Sequence, residues 1–109
     1  MMLGASGTYS SVALMNPRLM LAFYDACEQG AWEPAARLQR DLVKFFVEAV
    51  QPLLDEGYWD AAIDKALAAA TGFLSCPARV RKPYAQVPPD RIASLREYLQ
   101  QNFPAVLTV

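Results

Sequence analysis

The sequence predicts an all-α chain of about four helices that follow one short N-terminal strand. Over most of the chain, apolar residues recur at the three- to four-residue spacing of a helix face. Asn, Pro and Gly stand where helices begin and end. Only residues 8–14, Thr-Tyr-Ser-Ser-Val-Ala-Leu, are rich in strand-favouring types. A single strand leaves its backbone groups unpaired, so this strand needs a neighbour that the four helices do not supply.

The first predicted helix begins after Asn16, which is a favourable N-cap residue, with Pro17 at the first helical position. Gly30 ends the helix, because glycine readily adopts the left-handed conformation that follows a helix C-terminus. Four apolar residues have the spacing of one buried face. They are Met20, Phe23, Tyr24 and Cys27.

The second predicted helix starts near the Trp-Glu-Pro segment and carries one narrow polar stripe in an otherwise apolar sequence. A narrow stripe indicates a helix that is covered on two sides. Within it, the pairs Arg37–Asp41 and Lys44–Glu48 are expected to contribute about 0.3 kcal/mol each. Pro52 cannot donate a hydrogen bond, so we expect the helix to kink or end there. The stripe consists of Arg37, Asp41, Lys44, Glu48 and Gln51.

The third predicted helix is rich in alanine, which permits close helix approach, and Gly72 closes it. Residues 73–89 contain four prolines, which exclude regular structure and favour an extended path over a surface. The last predicted helix runs from about Pro89 to Asn102, and Pro104 stops it. The predicted inward residues of these two helices are Ala62, Ile63, Ala66, Leu67, Ala70, Ile92, Leu95 and Leu99.

The composition excludes several classes of function. Histidine is absent, and Cys27 and Cys76 form no Cys-x-x-Cys pair, which excludes His- or Cys-pair zinc sites and Ser-His or Cys-His catalysis. Asp60 and Asp64 have no further ligands beside them, so we expect no metal and no cofactor. A net charge of −1 gives little attraction to nucleic acid or membranes. Without a membrane-length apolar run or a signal peptide, the sequence predicts a cytoplasmic protein.

Three segments, taken in order, resemble one enzyme family. The segment LGASGTYSSVALMNPRLMLAFYDACEQGAWEPAARLQ resembles the last barrel strand and helix of the dihydrodipicolinate synthase / N-acetylneuraminate lyase family. IDKALAAATGF resembles its lysine-containing third helix, and VRKPYAQV its Arg-x-Pro segment before the last helix. The resemblance covers Leu3 to about Gln101. The segments TYSS and FYDA are most similar to those of the 5-dehydro-4-deoxyglucarate dehydratase branch.

The resemblance implies a fold and a reaction. Family members are (β/α)8 barrels with an extra C-terminal helical domain, so residues 1–30 would be the last barrel strand and helix, and residues 31–109 the helical domain. The rest of the barrel would precede Leu3. Family members join an active-site lysine to pyruvate or another 2-keto acid as a Schiff base. They then make or break a carbon–carbon bond or dehydrate a sugar acid.

The resemblance also implies which residues would contact substrate. The family's catalytic lysine, relay tyrosine and carboxylate cradle lie on earlier strands, so this chain would hold no catalytic residue and would be inactive alone. Tyr9 matches the position that contacts the keto acid from the last strand, and Ser10 and Gly7 lie beside it. The alternative for Tyr9 is packing inside the barrel, and for Gly4 and Gly7 it is close strand packing.

The basic residues have other expected roles. Lys44 belongs to the polar stripe, and Lys65 matches a family lysine that makes a structural contact. Lys82, with Arg79 and Arg81, forms a cluster that could hold an anion or RNA phosphate. In a net-negative chain a solvated loop is the favoured interpretation, so no nucleic-acid partner is expected. The resemblance makes Arg81 an anchor for the extended segment.

A second hypothesis is a stand-alone helical module that binds itself or a partner. Apolar residues make up 54% of the chain, an excess that suggests a homo-oligomer formed through exposed apolar faces. The glycine-framed strand opposes this hypothesis, because a free helical module does not need one. A third hypothesis, an enzyme complete in itself, would require pyruvate to attach to Lys65.

Overall fold

Residues 3–107, which the computed structural model describes, form five α-helices and no strand, so the predicted all-α class is confirmed. A π-helical turn joins the second helix to the third, which leaves four separate helical rods. The helices are α1 (Pro17–Glu28), α2 (Trp32–Phe45), α3 (Gln51–Asp55), α4 (Asp60–Thr71) and α5 (Pro89–Asn102). The π turn is Phe46–Val50, and 3₁₀ turns cover Ser11–Leu14 and Pro104–Leu107.

The predicted strand over residues 8–14 is wrong. Ser10 has extended backbone (φ −150°, ψ 128°), but Ser11–Leu14 coil into a 3₁₀ turn. The amide of Val12 donates to Ser10 Oγ at 3.2 Å. With no neighbouring strand in the described residues, local bonds satisfy these backbone groups instead. Residues 1–2 and 108–109, at the ends of the two predicted units, lie outside the described residues.

Helix α1 begins as predicted but buries less of its apolar face. Asn16 Oδ1 accepts from the amide of Leu19 at 3.0 Å and caps the helix. Of the four residues expected inside, only Cys27 is buried, and Tyr24 is exposed. The helix packs mainly against α2 and the preceding 3₁₀ turn. The remainder of its apolar side is only partly covered, since Met20 and Phe23 are half-buried.

The rod formed by α2 and α3 continues past Pro52 to Asp55, so the helix does not end at the proline. In the π turn, the amide of Gln51 donates to the carbonyl of Phe46, five residues back. The wider turn immediately before Pro52 accommodates a residue that has no N–H and a bulky ring.

Both predicted ion pairs of the polar stripe are wrong. Arg37 pairs with Glu33 at 2.9 Å, one turn back, and not with Asp41. Glu48 accepts a hydrogen bond from the hydroxyl of Tyr98 and forms no ion pair with Lys44. On an exposed helix surface either neighbour one turn away is within reach, so sequence spacing alone does not choose the partner.

The core lies where α4 and α5 meet the rod. All five residues predicted on the inner face of α4 are buried, and Gly72 ends the helix with a left-handed backbone (φ 73°). On α5, Leu95 and Leu99 are buried as predicted and Ile92 is half-buried. The alanines of α4 let α5 approach closely. The core comprises Met15, Phe45, Val50, Leu53, Ala62, Ile63, Ala66, Leu67, Ala70, Val87, Leu95, Leu99, Phe103 and Val106.

Residues 73–88, here called the strap, connect α4 to α5 without regular structure, as predicted. Lys65 Nζ donates to the carbonyl of Arg79 at 2.6 Å. The rings of Trp59 and Tyr84 lie 5.5 Å apart, centroid to centroid. Val87 is completely buried. These contacts fasten the strap along α4.

Asn16 also joins the two ends of the described chain. Its side chain is 1% exposed, and Nδ2 donates to the carbonyl of Val106 at 3.2 Å. Met15 and Val106 are fully buried beside it, so one core includes residues from both predicted units. None of the helices in residues 3–107 combines the length and apolar character needed to cross a bilayer.

Replacing Asn16 by Ala should lower the free energy of unfolding by about 2–3 kcal/mol, because it removes a helix cap and leaves the buried Val106 carbonyl unpaired. Urea unfolding followed by circular dichroism measures this. Asn102→Ala is the control, since the exposed Asn102 side chain donates only to the carbonyl of Tyr98 in its own helix. A loss no larger than that of the control would contradict the role given to Asn16.

Candidate functional site

The three residues predicted to contact substrate lie on the N-terminal segment but do not converge. The Tyr9 side chain is fully exposed. Gly7 and Ser10 line a shallow groove of about 340 Å³ against α1, whose wall includes Met20 and Tyr24. Tyr9 is not part of that wall. The structure therefore brings Gly7 and Ser10 together and places Tyr9 apart, and their substrate role stays a prediction.

The lysines are accounted for by surface roles. Lys44 is exposed on α2, and Lys82 is exposed on the strap. Lys65 holds the strap, as described above. The resemblance made Arg81 the strap's anchor, but its side chain is exposed, and Lys65 together with Tyr84 fastens the segment. A Schiff-base lysine is activated by desolvation, whereas Lys44, Lys65 and Lys82 are all exposed.

The clearest departure from prediction is an uncovered apolar surface on the rod. We call Val43, Phe46 and Val47 the open face. Their exposed fractions are 55%, 47% and 58%, although the narrow polar stripe predicted cover on both sides. The opposite side is covered, because Phe45 and Val50 are buried in the core. Val43 and Val47 also line a groove of about 530 Å³ whose rim carries Arg40, Lys44 and Glu48. Exposed apolar side chains with a polar rim are a feature of interaction sites.

A groove of about 160 Å³ adjoins the open face. It lies between the Ser11–Leu14 turn, the rod and α4, and Phe46 belongs to both features. Asp60 and Asp64, one turn apart at the start of α4, stand on its α4 side. We call it the acidic groove. Its apolar lining is Val12, Leu42, Phe45, Phe46, Val50, Leu54, Ile63 and Leu67.

Sequence reasoning missed the acidic groove, because its walls come from segments far apart in the chain. The only available signal was the spacing of Asp60 and Asp64, which places both on one side of a helix. That signal has an ordinary explanation, since acidic residues in the first turns of a helix are favoured by its dipole.

A second cavity, of about 210 Å³, lies between the rod and α5. The hydroxyl of Tyr98 donates to Glu48, and Arg91 pairs with Glu56 at 2.6 Å. Partial burial, then the hydrogen bond and negative charge of Glu48, raise the pKa of Tyr98 to about 12. The hydrogen bond to Glu56 raises the pKa of Arg91. Both contacts join α5 to the rod, so they hold the helices together.

Within residues 3–107, no group of three or more Cys, Asp or Glu side chains is arranged to hold a metal ion. Cys27 is buried and Cys76 is exposed, and neither is in a disulfide. Comparison of the chain with models of protein families, with curated proteins and with solved structures found no match.

When the folded protein is titrated with base, Tyr98 should ionise in a separate step at high pH, called the late step. Because folding raises the pKa of Tyr98 above the unfolded value of 10, the unfolded chain loses this proton first, and stability falls as pH rises from about 10 to 12. Ultraviolet absorbance of tyrosinate in the folded protein should show one of the five tyrosines ionising last.

The variant Tyr98→Phe should remove the late step, whereas Tyr24→Phe, on the exposed side of α1, should leave it in place. A late step that persists in Tyr98→Phe would show that another group produces it. Following both variants by circular dichroism keeps unfolding separate from ionisation.

Proposed function

We propose that this chain is the C-terminal part of a Schiff-base-forming keto-acid lyase that resembles the dihydrodipicolinate synthase / N-acetylneuraminate lyase family. Its substrate would be pyruvate or another 2-keto acid, or a sugar acid in the 5-dehydro-4-deoxyglucarate dehydratase branch, and its location cytoplasmic. The resemblance from Leu3 to about Gln101 supports this proposal. The observation that supports it in the structure is the partly uncovered apolar side of α1.

That side of α1 has the character of a helix that packs on a sheet. Leu21 is 64% exposed, Tyr24 is exposed, and Phe23 is only half-buried. A barrel helix buries such a side against the strands it surrounds. The extended backbone at Ser10, just before the 3₁₀ turn, would then be the end of the last barrel strand.

In this proposal the chain contributes structure and part of a binding surface. Tyr9, Ser10 and Gly7 would reach the keto acid from the end of the last strand, where barrel active sites lie. The nucleophilic lysine would belong to an earlier strand. The 109-residue chain on its own is then catalytically silent, in keeping with the exposure of its three lysines.

The test is pyruvate trapping in material immunoprecipitated from the protein's own cells. The amine and the keto group form an imine with loss of water, and borohydride reduces that imine to a stable amine. We expect an adduct on a species several times heavier than 12.1 kDa that contains this sequence, and none on the 12.1 kDa chain. Intact mass spectrometry measures the mass of each species and shows whether it carries the adduct.

An adduct on Lys65 of the short chain would overturn the proposal in favour of an independent enzyme. A single species at 12.1 kDa without adduct would overturn it as well. Acetate in place of pyruvate is the matched control, because it lacks the keto group that the imine requires.

The open face favours a second candidate function, a helical module that associates with itself. Val43, Phe46 and Val47 lie on one side of the rod, away from the core. Burying them against another copy would remove apolar area from water, at about 25 cal/mol per Å². The expected product is a homo-oligomer.

The double variant Val43→Ser, Val47→Ser should abolish this association, because it replaces the apolar contact by hydroxyl groups that must be desolvated. Sedimentation equilibrium should show the wild type heavier than 12.1 kDa and the variant at that mass. Leu21→Ser, at a 64% exposed position on α1 outside the open face and the strap, is the control. A wild type that stays monomeric at every concentration would contradict the module.

A further inference from the structure

The acidic groove has the shape and chemistry of a receptor for a basic side chain. Apart from Ser11 its walls are apolar, and carboxylates stand only on its α4 side, at Asp60 and Asp64. Neither carboxylate forms an ion pair within residues 3–107. An arginine or lysine side chain combines an alkyl stem with a charged head, so its stem fits such walls while its head meets the carboxylates.

The strap of the same chain carries side chains of that kind. Arg79, Arg81 and Lys82 are exposed, and in the described part of the chain none of them pairs with an acidic residue. Three cations lie within four consecutive residues, although the chain as a whole has a net charge of −1. The strap therefore carries a local cluster of positive charge, opposite in sign to the groove.

The two features lie on different sides of α4. Asp60 and Asp64 face the groove beside the rod. Lys65 follows Asp64 by one residue, or about 100° around the helix, and reaches the strap through the carbonyl of Arg79. Within one molecule, the strap and the acidic groove therefore lie on different sides of α4. The exposed cations of the strap are available to a neighbouring molecule.

We propose that a second copy of this chain occupies the acidic groove, with Arg81 of one copy inserted between the apolar walls and its head on Asp60 and Asp64 of the next. This inference rests on the self-association proposed above and names its contact. The open face continues into the groove through Phe46, so the copy that inserts its strap also covers apolar surface.

Groove and strap are different surfaces, so the contact pairs unlike patches. Two copies can exchange straps reciprocally in a two-fold dimer, or each copy can bind the next so that the assembly closes as a ring or extends as a chain. Because the contact includes opposite charges, association should weaken as salt is added. Purely apolar pairing of the open faces would not respond in this way.

Charge reversal on each side tests the inference in the full 109-residue chain. One variant carries Asp60→Lys and Asp64→Lys, and the other carries Arg79→Glu, Arg81→Glu and Lys82→Glu. In each variant alone, groove and strap have the same sign, so we expect its dissociation constant to rise at least about tenfold. Mixed in equal amounts, the two variants are complementary, and association should return. Sedimentation equilibrium measures all three samples.

Two controls keep the result interpretable. Asp25→Lys with Asp41→Lys makes the same change of charge at exposed positions outside the groove and should associate like the wild type. Asp60→Asn with Asp64→Asn removes the charges with little change in shape, and should weaken association even if the lysine variant misfolds. Circular dichroism checks the helix content of every variant.

The possible results separate this inference from the proposal beneath it. If association is lost in both charge variants and returns in their mixture, the result supports the groove-and-strap contact. If association is lost and does not return in the mixture, the contact is overturned. If the charge variants associate normally while Val43→Ser, Val47→Ser does not, self-association stands and the groove contact is overturned. A monomeric wild type overturns both.

Discussion

The arrangement of the helices depends on one buried amide. Asn16 caps α1 with its oxygen and binds the carbonyl of Val106 with its nitrogen, inside a core that Met15 and Val106 help to close. The residue that fixes the direction of α1 is thus the residue that holds the last turn of the described chain. An unpaired amide would be costly at this depth, so the start of α1 and the C-terminal turn are held together.

The predictions succeeded where a residue's own backbone preference, or its bond to a nearby backbone group, decides the structure. The cap at Asn16, the left-handed Gly72 and the helix from Pro89 to Asn102 were all predicted correctly. Each depends on a residue's own backbone preference or on bonds to close neighbours. The buried face of α4 was also predicted correctly, because its apolar residues recur at helical spacing on one side of the helix.

The predictions failed where the structure of a segment depends on which other segments pack against it. Residues 8–14 favour a strand, but a strand requires a neighbour and the described chain provides none, so Ser11–Leu14 coil instead. The cover predicted for the second side of the rod is missing for the same reason. The acidic groove draws on Val12, Phe46 and Ile63, which no sequence spacing relates. Of the residues predicted to contact substrate, sequence adjacency placed Gly7 and Ser10 together but could not orient Tyr9.

The π turn changes how the side chains of α3 are oriented around the rod relative to those of α2. It accommodates one residue more than an α-helical turn, so the side chains after it are rotated relative to those before it. The part before the turn carries Val43 towards solvent, and the part after it carries Leu53 into the core. Phe45 before the turn and Leu53 after it nevertheless both lie in the core, whereas Phe46 and Val47 within the turn are exposed. Gain or loss of one residue here would rotate Leu53 by about 100° relative to Phe45. Phe46–Val50 thus sets the register in which both helices of the rod reach the core.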